Sequence, residues 1–169
     1  MKEELEMSKM KTLADAFYDE LQDMYSAEKQ LLKAIPKMAK KASSEKLTAA
    51  FENHLKQTRT QVERVEKAFE ETGKAPKPKK CEAMKGLITE AESMMEEEAE
   101  PDVMDAILIA LAQKIEHYEI ATYGTLCTWA EQLGYTNAKK QLGDNMDEEE
   151  KTDKTLTKLS KAANRAAMA

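Results

Sequence analysis

Cysteine, aromatic residues, glycine and proline are all scarce in this chain, and each scarcity removes a class of protein. The 2 cysteines, Cys81 and Cys127, stand far apart and match no paired zinc spacing. A disulfide framework is therefore not expected, and reduced thiols are the default. Aromatics at 5%, with 5 Gly and 4 Pro, leave little material for a turn-rich β fold, whereas the abundance of Ala, Leu, Met, Glu and Lys favours helices. No long apolar run exists: the longest, residues 106–112, has seven residues against the roughly 20 of a membrane span. Residues 1–11 are polar and charged, without the apolar segment of a secretory signal. The expectation is a cytoplasmic protein with no membrane partner. Positive charge is not in excess either; the net charge of −6 argues against a nucleic-acid partner. Basic stretches at 74–80 and 151–165 read as a solvated linker and a helix face. No Ser-His-Asp arrangement, P-loop or dinucleotide fingerprint is present, so no catalytic residue is assigned.

What remains is helical periodicity over 169 residues, enough for one domain spanning 1–169 with a sizeable core. A first helix is predicted at about 11–41, with Leu13, Phe17, Leu21, Met24, Leu31, Leu32, Ile35 and Met38 spaced by threes and fours. Pro36 is a candidate kink near its end. Ser44 is a candidate N-cap for a second helix at about 44–72, which carries Leu47, Phe51, Leu55, Val62, Val65 and Phe69 and stops at Gly73. Beyond a proline-broken linker, a shorter helix is predicted at about 81–98, with an acidic, solvated end. Two further helices follow at about 103–133 and 137–163, turned by Gly134, with Gly143 a possible irregularity in the last.

Connection lengths decide the topology. The first two helices are joined by a few residues, and so are the last two, so each pair forms an antiparallel hairpin. About thirty residues, including their own helix, separate the hairpins. The predicted class is an all-α, ferritin-like four-helix bundle with an additional helix in the long crossover. The apolar arc of the 103–133 helix is wider than its bundle neighbours and the crossover helix are expected to cover, which predicts a homodimer.

Polar residues interrupt the apolar stripes, and they do so at matching heights. Glu28 is flanked by Leu21, Met24, Leu31, Leu32 and Ile35, so no helical register places it toward solvent. The second helix runs Leu47, Phe51, His54, Thr58, Gln61, Val65, with three successive polar core positions. Glu119 falls between Ala112, Ile115, Thr122 and Leu126, with Glu116 beside it. The last helix runs Leu142, Met146, Glu149, Asp153, Leu156, with Glu150 at its flank. All these groups lie about 11–19 residues from their hairpin turns, which at about 1.5 Å rise per residue puts them in one slab roughly 10 Å thick. One buried cluster drawing on every bundle helix is therefore expected.

A buried carboxylate must be paired, protonated or bound to a cation. Carboxylates and an imidazole from four facing helices match the layout of di-iron and di-manganese bundles, where divalent ions offset the repulsion. The competing reading is a metal-free polar network that holds the helices in register. His117 points about 100° away from Glu116 and is expected at the surface or an interface. Tyr25 and Tyr118 lie within a turn of ring acids and read as core tyrosines with satisfied hydroxyls. Cys127 reads as a small buried hydrophobe, and the 11 methionines mostly as gap fillers.

Several strings carry a family resemblance: Asp23-Met-Tyr-Ser-Ala-Glu-Lys-Gln-Leu31, His54-Leu-Lys-Gln-Thr-Arg-Thr-Gln-Val-Glu-Arg64, Lys114-Ile-Glu-His-Tyr-Glu-Ile-Ala-Thr-Tyr-Gly124, and Glu131-Gln-Leu-Gly134 followed by Glu148-Glu-Glu-Lys-Thr-Asp153. In order and spacing they resemble the YciF/YciE-type family of bacterial stress-associated, ferritin-like proteins, more closely its YciF branch. The resemblance implies a five-helix ferritin-like fold, a cytoplasmic homodimer, and a metal-dependent or protective role. Carried over by position, the implied inner ring is Glu28, His54, Gln57, Thr58, Gln61, Glu116, Glu119, Glu149, Glu150 and Asp153. Iron or manganese, as one ion or two, is the implied cofactor. Two departures weaken that implication. The chain has no Glu-x-x-His pair, and Gln57 stands where the family pattern has Glu. The function expected is thus a stress-associated protein with a metal-binding carboxylate/His cluster, and the alternative is a metal-free, non-enzymatic helical dimer.

Overall fold

The computed structural model describes residues 10–169. The sequence expectation for 1–11, and the start of the 1–169 domain, therefore fall for their first nine residues outside the described residues. Five α-helices and one 3-10 turn make up the ordered elements, and there is no strand among the described residues.

Helix α1 spans Leu13–Lys41. It begins after residue 11 because Thr12 and Asp15 form a reciprocal cap: the Thr12 hydroxyl accepts from the Asp15 amide, and the Asp15 carboxylate accepts from the Thr12 amide. Pro36 does not end it, and the helix continues to Lys41. Helix α2 spans Glu45–Ala68, with Ser44 as N-cap, its hydroxyl oxygen accepting from the Leu47 amide. The last turn expected for that helix tightens into a 3-10 turn, Glu70–Thr72, closed by Gly73 at φ 71. Helix α3, Glu82–Met95, is capped by the Cys81 thiol and stops short of the acidic run at 96–98. Helix α4, Pro101–Leu133, starts earlier than 103 because proline is tolerated at a first helical position, where its missing N–H costs nothing. Gly134, at φ 74, turns the chain into α5, Thr136–Ala166, which runs unbroken past Gly143.

Helix α1 packs against α2 and α4, and α5 packs against α2 and α4, so the four long helices form a ring with α1 and α5 on one diagonal. Two contacts orient it. Asp105, near the start of α4, accepts hydrogen bonds from the Ser43 and Ser44 amides at the α1–α2 turn, at 2.8 and 2.9 Å. At the opposite end Glu71, just after α2, accepts from the Ala138 amide in the first turn of α5. Each neighbouring pair is thus antiparallel, and the chain must travel the length of the bundle between α2 and α4. It does so along α1, where the Lys79 amide bonds the Gln22 carbonyl and the Cys81 amide bonds the Ser26 hydroxyl. Helix α3 then lies over α1 and α4.

Coverage by α1, α3 and α5 accounts for the wide apolar arc of α4. Among the described residues the exposed large hydrophobics are Met10 and Met168, both outside it. No helix of the described residues is long and apolar enough to cross a membrane.

Candidate metal centre

The four long helices each bring a polar side chain to mid-height, where the stripes of Phe, Leu, Met and Val give way. Glu28 on α1, His54 on α2, Glu116 and Glu119 on α4, and Glu149 on α5 are all buried, three of them at 0% exposure. One ligand atom from each of His54, Glu116, Glu119 and Glu149 lies within 4.8 Å of every other. His54 Nε2 is 3.0 Å from Glu116 Oε1 and 4.0 Å from Glu149 Oε2. The shorter approach has the length of a hydrogen bond but not its direction, and Nε2 has no aligned partner. The same holds for Glu28 Oε2, Glu116 Oε2 and both carboxylate oxygens of Glu119 and Glu149. Native interiors leave few buried polar atoms unpaired. Here they are concentrated on six side chains, those of Glu28, His54, Gln61, Glu116, Glu119 and Glu149.

Electrostatics follows from that crowding. Burial, partly offset by the Tyr123 hydroxyl and by His54, pushes the Glu28 carboxyl up to about 7. Burial and the neighbouring charges of Glu28 and Glu116 hold Glu119 well above the ordinary carboxylate range. For His54, burial alone would favour the neutral ring, yet the Glu116 carboxylate, with Glu28, outweighs it and raises the imidazole. Without a cation, the cluster lowers its cost by keeping protons.

Thr58 is buried, but its hydroxyl donates to the His54 carbonyl one turn back at 2.8 Å. Gln61 is buried beside the site with both amide atoms unpartnered. Gln57 is half-buried, and its Oε1 accepts from Thr152 at 3.4 Å. Glu150 sits about 100° round α5 from Glu149 and is half-buried outside the cluster. Asp153 also stays outside: it contacts His117 Nε2 at 3.2 Å and Gln113 Nε2 at 3.3 Å. The face of α5 toward the core is Ala138, Leu142, Asn145, Glu149 and Leu156, which leaves Met146 and Asp153 at its edge. His117 is exposed, as its register predicts. Tyr25 and Tyr118 do satisfy their hydroxyls, but on Glu66 and Asp23 rather than on ring acids.

Two residues at the centre escaped the sequence reading. Tyr123, fully buried, donates its hydroxyl proton to Glu28 Oε1, and Asn145, also fully buried, donates to the Tyr123 oxygen at 3.1 Å. The signal was available in the spacing. Tyr123 stands one turn after Glu119, and Asn145 one turn before Glu149.

Two antiparallel hairpins, a helical crossover along the bundle, and an imidazole with carboxylates at mid-height define the class: an all-α, ferritin-like helical protein. Within that class the chain belongs to the family described as a domain of unknown function (DUF892), whose profile matches residues 12–169. It is 51% identical over 152 residues to the protein YciF of Escherichia coli strain K12, covering 89% of this chain and 92% of that protein. The crystal structure of the E. coli stress protein YciF superposes with a TM-score of 0.89 at 49% identity, over 92% of this chain and 99% of that one. YcfI from Rhodopseudomonas palustris gives 0.87 at 39% identity, over 89% and 96% of the two chains. A Xanthomonas campestris protein at 19% identity shares the fold, with a TM-score of 0.72 over 92% of this chain and 95% of that one.

Proposed function

We propose that this homologue of a stress protein binds one or two iron or manganese ions in its core and serves in protection against oxidative stress. The observation that carries the reading is the set of four ligand atoms, from His54, Glu116, Glu119 and Glu149, within 4.8 Å of one another and without aligned protein partners. The donor set fits. Carboxylate oxygens with one imidazole suit Mn²⁺ or Fe²⁺, and no thiolate, which would favour zinc, is among them. Glu28, with Oε2 unpartnered beside Glu119, completes a group of four carboxylates whose charge two divalent ions balance. Bound iron or manganese would supply redox chemistry that no side chain here offers. The residues' own part is to hold the ions, with His54 as a neutral ligand through Nε2, and to keep them inside an apolar bundle.

One observation favours the metal-free alternative. The raised Glu28, Glu119 and His54 allow the cluster to share protons, so it can persist as a buried polar network in a non-enzymatic protein. Elemental analysis of protein purified without chelator separates the two. The proposal expects iron or manganese near stoichiometry, lost in Glu119→Gln. Trace metal in both, with no uptake on titration with Mn²⁺ or Fe²⁺, contradicts it.

A further inference from the structure

A second set of polar contacts leads away from the centre toward solvent, and its chemistry allows only one direction. At its outer end Arg64 on α2, partly exposed, pairs with Glu148 on α5 and donates through Nη1 to Asn145 Oδ1 at 3.0 Å. A guanidinium has no acceptor, so it fixes which end of the Asn145 amide faces it. The opposite end, Nδ2, meets the Gln61 carbonyl at 3.2 Å and the Tyr123 oxygen at 3.1 Å. The carbonyl can only accept, so both neighbours demand the same amide orientation. Each Nδ2 proton is thereby spoken for, and one of them is given to Tyr123. The Tyr123 oxygen therefore accepts, and its single proton must go elsewhere. The group within reach is Glu28 Oε1.

The consequence reaches the carboxylate. Oε1 of Glu28 is held as an acceptor, while Oε2 is buried without a hydrogen-bond partner, and Glu119 neighbours the same carboxylate. The chain joins all four bundle helices: α2 through Arg64 and Gln61, α5 through Asn145 and Glu148, α4 through Tyr123, and α1 through Glu28.

We infer that Arg64, Asn145 and Tyr123 are positioning residues, a one-way hydrogen-bond chain that fixes the Glu28 carboxylate and reserves its Oε2 for a divalent cation. This rests on the metal-binding reading above for its purpose, though not for its direction. Supporting groups of this kind commonly change metal affinity by about 10- to 100-fold when removed.

Two measurements on the full chain test it. The first is Mn²⁺ titration by calorimetry of chelator-stripped wild type, Tyr123→Phe and Asn145→Leu. Both variants should bind Mn²⁺ about 10- to 100-fold more weakly. Affinities within twofold of wild type, in variants that fold, overturn the inference. The second is proton NMR of the metal-free protein, which a merely space-filling role would not move. A slowly exchanging Tyr123 hydroxyl proton is expected downfield, absent in Tyr123→Phe and shifted in Glu28→Gln and in Arg64→Met. A hydroxyl resonance that ignores both Glu28→Gln and Arg64→Met overturns the chain, even if another variant fails to fold. If wild type takes up no Mn²⁺ while the resonance behaves as expected, the metal reading fails and the directional chain stands.

Discussion

Glu28 carries the tension between folding and function in a single side chain. It is fully buried, bonded to Tyr123 through one oxygen and unpartnered on the other. A carboxyl raised from the ordinary 4.5 to about 7 is destabilising by roughly 3 kcal/mol once pH exceeds the raised value. Glu28→Gln keeps the shape and can still accept from Tyr123, but removes that charge. In the presence of chelator at pH 8, this variant should be more stable than wild type by about 1–3 kcal/mol. It should also lose Mn²⁺ affinity. Glu28→Leu removes the same charge but leaves the Tyr123 hydroxyl proton without an acceptor, costing about 1–3 kcal/mol, so it should melt below Glu28→Gln. Equal metal content and equal melting in all three proteins would remove Glu28 from the site.

Among the elements, what was legible in the sequence is what depends on periodicity. The stripes on α1 and α2, the Ser44 cap and the Gly73 and Gly134 stops repeat along the chain and need no knowledge of partners. Loop lengths then gave the two hairpins. Contacts between distant elements were not legible in that way. Asp105 is buried on α4, yet nothing in its local pattern announces that it caps the α1–α2 turn from 61 residues away. The sequence pattern admits Asp153 and Glu150 to the ring for a related reason: a stripe with an acid at every turn can be followed along two adjacent rows, and packing of α5 against α2 and α4 selects the row of Asn145 and Glu149. Asp105 gives this scale its prediction. Asp105→Ala leaves two amides of the turn without their acceptor and should lower stability by about 2–3 kcal/mol in urea unfolding. Metal binding at mid-bundle should be unaffected. A loss below about 0.5 kcal/mol would show that the turn does not depend on this contact.

For the molecule as a whole, the cluster makes stability depend on pH in opposite senses with and without metal. Glu28, Glu119 and His54 all have raised folded values, so the folded state holds more protons than the unfolded chain. Their contribution is complete below the unfolded values and is lost as pH rises through the folded ones. Chelated protein should therefore melt higher near pH 5 than near pH 8. Cation binding requires the deprotonated ligands, so the stabilisation by added Mn²⁺ should grow over the same interval. Identical pH profiles with Mn²⁺ and with chelator contradict a metal contribution. The proposed homodimer is also a property of this scale. Ile107, Trp129 and Leu133 on α4 pack against the core but stay half-buried, and a second copy would cover the rest of their apolar surface. Sedimentation at micromolar concentration should show twice the 19.1 kDa chain, and a 19.1 kDa species alone would rule the dimer out. The central claim is more specific than either, since it concerns one place in the bundle. Anomalous diffraction from crystals grown with Mn²⁺ reads that place directly. A peak enclosed by His54, Glu116, Glu119 and Glu149 is expected; density for Mn²⁺ only on surface acids, with none among those four residues, would contradict a metal centre there.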